Sequence, residues 1–133
     1  MNKRGRGGAS GEVELHVQAP WRIVDHGRIV VGYRDMRDPP TGVSAEGWDP
    51  NETAWTRRDE LIEAFYAARA TNPRVITAAV ADPTGDLRIT FDDGAELQVL
   101  PDSVAPDDEH WRLFSGHGHH LVVGGAGPEV VGD

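Results

Sequence analysis

Apolar and polar residues alternate along most of this chain, which is the pattern of β-strands with one buried face. The alternation runs through residues 13–17 and 21–33, and it returns at 76–99 and 111–123. Glycine-containing turn sequences separate these runs. The pattern therefore predicts a meander of short antiparallel strands.

Four turn sequences allow the strand registers to be predicted. D-H-G at 25–27, D-D-G at 92–94 and G-H-G at 116–118 suit three-residue loops that end in glycine, and D-P-T-G at 82–85 suits a four-residue turn. Each choice places apolar residues opposite one another. The predicted partners are Trp21 with Val31, Ile23 with Ile29, Val80 with Leu87, Ala78 with Ile89, Ile76 with Phe91, Phe91 with Ala95, Leu113 with Leu121 and Trp111 with Val123.

One segment has helical periodicity instead. T-R-R-D at 56–59 is a variant of the capping box, with Asp59 in the position usually held by glutamate. Apolar residues then recur at helical spacing, and Asn72-Pro73 ends the pattern. We expect a helix near residues 57–71 whose apolar stripe consists of Leu61, Ile62, Phe65 and Ala68.

These elements predict an α+β fold, a mainly antiparallel β-meander sheet with one amphipathic helix packed on its apolar face. Residues 1–11 are rich in glycine and arginine and have no large apolar side chain after Met1, so we expect a disordered tail. Residues 12–131 are expected to form a single β-rich domain. A proline-rich loop at 35–55 interrupts the pattern, and loops of this length are often functional.

The charge distribution indicates which classes of partner the chain can bind. The chain carries a formal net charge of −9, with eleven basic and eleven acidic residues up to Arg74 but only Arg88 and Arg112 against eleven acids after it. An acidic second half repels phosphate backbones and leaves basic proteins as partners, so no nucleic-acid binding is expected. No apolar run is long enough to span a bilayer and no secretion signal is recognisable, so we expect a cytoplasmic protein without membrane attachment.

The histidines near the C-terminus are the main candidates for chemistry. His117, His119 and His120 fall within four positions, but in the predicted hairpin their side chains diverge, whereas zinc needs three or four convergent ligands. Only a different loop would let His117 and His119 converge, with an acid or His110 completing a metal site. The chain has no cysteine and no nucleophile-elbow motif, so no catalytic residue and no cofactor are predicted.

The second half contains a strand–DG–strand unit, an E-x-W strand and a glycine pair that belongs to a final hairpin. In these features it resembles a family of small actinobacterial domains of unknown function. The resemblance implies a fold, a comparison with immunity proteins of polymorphic toxin systems, and no catalytic residues. The matching positions are Leu87, Ile89, Phe91, Asp93, Gly94, Leu97, Val99, Glu109, Trp111, Gly124 and Gly125.

Three functional hypotheses follow from the sequence. In the first, the chain is a protein-interaction module, immunity-like in the sense of that resemblance, whose partner is a basic protein. In the second, it is a small-molecule or metal-dependent enzyme that uses His117 and His119. In the third, it is a structural or accessory domain whose partner is another copy of itself, bound through an unpaired sheet edge. The residues expected to bind a partner in the first hypothesis are Trp48, Trp55, Glu96, Asp107, Asp108 and Glu109.

Overall fold

A computed structural model describes residues 2–3, 13–52, 55–115 and 120–131. Within these residues, ten strands form two mostly antiparallel sheets accompanied by one α-helix, which confirms the predicted α+β class. The elements are β1 (Asn2–Lys3), β2 (Val13–Val17), β3 (Trp21–Asp25), β4 (Arg28–Gly32), a 3₁₀ helix (Tyr33–Arg37), α1 (Arg57–Ala67), β5 (Ile76–Ala81), β6 (Leu87–Phe91), β7 (Glu96–Val99), β8 (Glu109–Ser115), β9 (His120–Gly124) and β10 (Gly127–Val131).

The first sheet has the order β1-β2-β8-β9-β10. In the hairpin of β8 and β9, Leu113 pairs with Leu121 and Trp111 with Val123, which confirms the predicted register. On the other side of β8, β2 pairs antiparallel and places Val17 opposite Trp111. The first sheet therefore joins a strand near the N-terminus to the C-terminal hairpin.

The second sheet has the order β4-β3-β7-β6-β5. The predicted three-residue loop between β3 and β4 is wrong, because Asp25 pairs with Arg28 and leaves a two-residue turn of His26 and Gly27, both with positive φ. A bulge then shifts the register, so that Ile23 pairs with Val31 rather than with Ile29. The bulge restores the apolar pairing that a two-residue turn alone would have broken.

The next two turns both use a glycine with positive φ. The D-D-G loop is confirmed, since Phe91 N–H donates to Ala95 O at 2.9 Å and Gly94 has φ +87°. The D-P-T-G turn is one residue shorter than predicted, because Asp82 N–H donates to Asp86 O at 3.0 Å. Gly85 has φ +94°, a conformation that glycine adopts easily, and it closes a three-residue loop in which Asp82 is paired with Asp86.

The chain divides into two compact units, each with a buried core. One unit contains residues 1–21, 79–88 and 98–133, and the other contains residues 22–78 and 89–97. The buried apolar residues of the first are Leu15, Val17, Ala19, Trp21, Leu87, Val99, Trp111 and Val123. Those of the second are Ile23, Val31, Ile89, Phe91, Ala95 and Leu97.

Helix α1 begins as the sequence predicts and ends earlier. Thr56 N–H and Thr56 Oγ1 both donate to Asp59 Oδ2 at 3.0 Å, which confirms the capping box. Regular helix stops at Ala67, before the predicted residue 71, and turns continue to Asn72. None of its residues is fully buried, but the Phe65 ring meets the Phe91 ring edge-on at 6.1 Å.

The proline-rich segment is anchored to the helix. Thr41 N–H donates to Glu60 Oε2 at 3.1 Å, and Arg57 N–H donates to Asp38 O at 2.9 Å. Residues 35–37, predicted as part of this loop, belong instead to the 3₁₀ helix. The remaining described part of the segment contains turns and bends without regular secondary structure.

Part of the N-terminal segment forms a strand. Within residues 1–11, which the sequence predicts to be a disordered tail, Asn2 pairs with His16 and Lys3 with Leu15. The other residues up to Glu12 lie outside the described part of the chain. Among the described residues, no helix combines the length and the apolar composition that crossing a membrane would require.

Two arginines that follow α1 bind the turn between β6 and β7. Arg69 Nη2 donates to Asp92 Oδ2 at 3.1 Å, and Arg74 Nε donates to Asp93 Oδ2 at 2.7 Å. The Arg74 guanidinium also lies 3.6 Å from the centroid of the Phe65 ring. The hydrogen bond from Arg69 lowers the pKa of Asp92 below its ordinary value, so this carboxylate favours the folded state when ionised.

Replacing Arg69 by glutamine (R69Q) should therefore reduce stability in a pH-dependent way. The folded chain holds the pKa of Asp92 below 3.8, so its ionised form contributes stability above that pH, and this contribution is lost as pH falls through the folded pKa. We expect the difference in unfolding free energy between wild type and R69Q to shrink as urea denaturation is carried out at pH values below 3.8. The control R34Q changes an exposed arginine of the 3₁₀ helix. An R69Q deficit that is constant with pH would contradict this account.

Candidate interaction site

A cleft of about 310 Å³ lies beside the start of β8 and is lined almost entirely by polar residues. Four of its lining residues are acidic, and three of these are the adjacent Asp107, Asp108 and Glu109 predicted from the sequence. We call it the acidic cleft. Its lining residues are Gln18, Ala19, Asp102, Ser103, Asp107, Asp108, Glu109 and His110.

The loop that carries most of these acids is held by its own hydrogen bonds. Ser103 Oγ donates to Asp108 Oδ2 at 2.6 Å and accepts from Ala105 N–H at 3.1 Å. Asp108 N–H donates to Ala105 O at 3.1 Å, and Asp108 O accepts from Gly125 N–H at 2.9 Å. The acids are therefore presented on an ordered backbone, which lowers the entropy cost of binding.

The glycine pair at the end of β9, Gly124 and Gly125, permits this arrangement. A Cβ atom on Gly124 would lie 2.4 Å from Asp108 O, and one on Gly125 would lie 1.9 Å from Ala105 O. Both distances are far below a van der Waals contact, so only glycine allows the backbone of the acidic loop to approach so closely. The glycine pair of the motif thus has a structural role at the candidate site.

The side chain and the backbone of His110 also hold the acidic loop and the start of β8 in place through hydrogen bonds. Its side chain is buried, and Nε2 lies 3.1 Å from Ser103 O. Because a carbonyl oxygen only accepts, Nε2 carries the proton in this bond. The carbonyl of His110 accepts from Gln18 N–H and Ala19 N–H at 2.9 and 3.0 Å, which ties the end of β2 to the start of β8.

The acids of the cleft differ in how far their charge is already neutralised. Arg112 donates to Glu109 Oε1 from Nε at 3.0 Å and from Nη2 at 2.6 Å, while Gln18 Nε2 donates to Glu109 Oε2 at 3.1 Å. Asp102 and Asp107 are exposed, and no side-chain hydrogen bond or ion pair within the described part of the chain engages either carboxylate. These two acids have charge available for a partner.

An exposed apolar side chain stands on the same loop. Val104 is 90 % exposed, the largest exposure among the large hydrophobic residues of the described chain, and it follows Ser103 directly. Leu100, at the beginning of the loop, is also exposed. Val104 and the carboxylates of Asp102 and Asp107 therefore lie on one loop, although Val104 does not line the cleft.

The other residues predicted to bind a partner do not line the acidic cleft. Trp48 is half-buried in the proline-rich segment, where its backbone N–H donates to Ala45 O at 3.2 Å. Trp55 is 44 % exposed just before α1, and Glu96 is half-buried on β7. The sequence analysis did not single out Asp102 or Val104, although it assigned Asp107, Asp108 and Glu109 of the same loop to partner binding.

The histidine hypothesis receives no support from the described residues. Among them, no group of three or more His, Asp or Glu side chains is placed to hold one metal ion. His117 and His119 lie outside the described part of the chain, so their assignment to a metal or catalytic site stays a hypothesis. His120 pairs with Phe114 across the hairpin, as the predicted register requires.

Comparison with known proteins places the chain in a family. The family model of unknown function DUF6188 matches residues 9–131. This chain belongs to DUF6188. The DUF6188 match includes the acidic loop, the E-x-W strand and the glycine pair, so the candidate site lies inside the family region. No curated protein and no solved structure gave a significant match to the chain.

Proposed function

We propose that this DUF6188 member is a protein-interaction module that binds a basic surface of another protein at the acidic cleft. The observation that carries the proposal is the combination of two unpaired carboxylates, Asp102 and Asp107, with the exposed Val104 on one ordered loop. Carboxylates steer a basic partner towards the site, and an apolar side chain supplies a contact that excludes water.

The charge of the surrounding chain supports the same partner class. The net charge is −9, and the second half of the chain contributes all of it. Such a field increases the rate at which basic proteins arrive and is screened by salt over about 10 Å at moderate ionic strength. Binding at the acidic cleft is therefore expected to weaken as salt concentration rises.

The test is retention of basic proteins on the immobilised chain, compared between two variants that each lose two negative charges. D102N/D107N changes the acidic cleft, whereas E52Q/E63Q changes two exposed acids elsewhere. We expect the wild type and E52Q/E63Q to retain the same protein until salt elutes it, and D102N/D107N to retain roughly tenfold less. Equal retention by all three would show general charge attraction and contradict the proposal.

A second variant tests whether the apolar contact of Val104 contributes to binding in addition to the negative charge of the chain. V104D makes the chain more negative, so simple attraction of basic proteins would increase, but it removes the apolar contact of the proposed site. We expect V104D to bind the retained protein more weakly than wild type in a titration with the purified partner. Tighter binding by V104D would reject Val104 as part of the interface.

A more specific form of the proposal rests on the resemblance to immunity proteins. In that form the basic partner is a toxin enzyme, and the chain inhibits it by forming a stoichiometric complex. The prediction is that the retained protein has a toxic activity that one equivalent of the chain abolishes. A retained partner without such an activity would reject the immunity form and leave the interaction module standing.

A further inference from the structure

Strand β5 is an edge strand without the usual protection. It is the last strand of the second sheet, and all of its residues from Ile76 to Ala81 are exposed. Ile76 and Val80 are 46 % and 58 % exposed, although the sequence predicts them on the buried face with Leu87 and Phe91. That prediction is wrong for β5, because the shorter turn pairs Asp82 with Asp86 and so brings Val80 opposite Arg88 instead of Leu87. A shift of one residue turns side chains to the other face of the sheet.

The other sheet edges of the described chain differ from β5. β4 contains a bulge and begins with Arg28, β10 contains Pro128 and Glu129, and β1 has two residues. Bulges, charges, prolines and short length are the means by which proteins prevent edge strands from pairing with other chains. The β5 sequence I-T-A-A-V-A contains no charge, proline or glycine. Its edge is therefore open to another strand.

The sequence of β5 is complementary to itself in an antiparallel arrangement. Ile76 and Val80 lie two residues on either side of Ala78, and all three point to one face of a strand. A two-fold axis at Ala78 would place Ile76 of each copy opposite Val80 of the other. Apolar residues meet twice, no charges are opposed, and small alanines meet at the centre.

We propose that β5 is the interface through which two copies of this chain associate, with antiparallel β5 strands joining two sheets into one. The partner is a second copy because the symmetric spacing of Ile76 and Val80 around Ala78 pairs the strand with itself. This interface is separate from the acidic cleft and does not depend on it. Salt concentration distinguishes the two interactions. Screening weakens the binding of a basic partner at the acidic cleft, but it reduces the repulsion between two chains of charge −9 and so favours self-association.

Sedimentation equilibrium from micromolar to millimolar concentration tests the proposal. We expect the wild type to shift from its chain mass of 14.5 kDa towards twice that value, and V80K to weaken this association by about tenfold or more. The matched control I29K places lysine at an exposed apolar position of β4, the opposite edge of the same sheet, and should dimerise like wild type. A wild type that stays monomeric, or an I29K variant as weak as V80K, would overturn the proposal.

Cross-linking provides a second measurement that does not depend on the folding of V80K. The chain has no cysteine, so A78C introduces a single thiol at the proposed two-fold axis. Opposed residues of an antiparallel pair have Cβ atoms about 4.5–5.5 Å apart, close enough for a disulfide after a small shift. We expect A78C to form a disulfide-linked dimer on mild oxidation, several times faster than I29C. Equal rates of disulfide formation in A78C and I29C would contradict pairing of β5 with itself. The same conclusion would follow if an added strand peptide of unrelated sequence blocked the A78C dimer.

Discussion

Replacing Trp111 by alanine (W111A) is expected to lower the free energy of unfolding by about 3–5 kcal/mol, the usual cost of deleting a buried aromatic side chain. Trp111 is 2 % exposed and pairs with Val123 in the first sheet. Its Nε1 donates to Gly85 O at 2.8 Å, so the residue also binds the turn between β5 and β6. Chemical denaturation of the purified chain measures the loss.

The phenylalanine variant W111F measures the contribution of the Trp111 hydrogen bond to stability separately from the contribution of its aromatic ring. It keeps most of the apolar volume but leaves the carbonyl of Gly85 without its donor, at a cost of about 1–3 kcal/mol. Trp21 provides a matched control, since it is also 2 % exposed and its Nε1 has no partner in the described structure. W21F removes an N–H that makes no bond, so it should cost less than W111F. Equal losses in the two variants would show that ring volume, and not the bond to Gly85, determines the effect.

Replacing Gly125 by alanine (G125A) is expected to cost about 2–4 kcal/mol, because the added methyl group collides with backbone. The new Cβ would lie 1.9 Å from Ala105 O and 2.8 Å from Val104 C, and neither atom belongs to a flexible side chain. The acidic loop would have to move away, which would break the bond between Gly125 N–H and Asp108 O. Thermal unfolding and amide chemical shifts of residues 102–110 measure the two consequences.

The neighbouring residue provides the control for G125A. Ala126 is exposed, and A126S should change stability by less than about 0.5 kcal/mol. If Val104 forms part of the interface, G125A should also weaken partner binding more than its loss of stability alone explains. A G125A variant with unchanged shifts in the acidic loop would mean that the close approach is not needed to shape the candidate site.

Local chemistry was sufficient to predict several parts of the fold. The capping box at Thr56 and Asp59 depends on residues three positions apart, and the D-D-G loop depends on one glycine with positive φ. The register of β8 and β9 followed from matching Leu113 with Leu121 across a short connection. These interactions involve residues close in sequence, so the packing of the rest of the chain did not change them.

Two turn predictions failed because more than one local solution was available. D-H-G supports either a three-residue loop or a two-residue turn, and a bulge in the β3–β4 pairing made the second compatible with apolar pairing. D-P-T-G closed one residue shorter, with Asp82 paired to Asp86. In both cases the choice depends on how the strands pair beyond the turn, which the turn sequence does not contain.

The candidate site was predictable only in part. The run Asp107–Glu109 was predicted to bind a partner because of its charge, and the structure places the three residues in one cleft, while their role stays a prediction. The cleft also needs Gln18 and Ala19, which are about ninety positions away in sequence and come near through the pairing of β2 with β8. No sequence pattern distinguishes Val104 from other valines in loops, and only the structure shows that its side chain is exposed.

The sequence by itself determined many of the local elements: strands β2 to β9, the start of the helix, and the glycines that close the turns. It did not predict β1 or β10. The tertiary structure alone decided that β2 pairs with β8, that the glycine pair lies against the acidic loop, and that β5 stands open at a sheet edge. The reason is the range of the forces involved. Turn and capping preferences act over a few residues, whereas strand order and the exposure of a side chain depend on which distant segments exclude water from it.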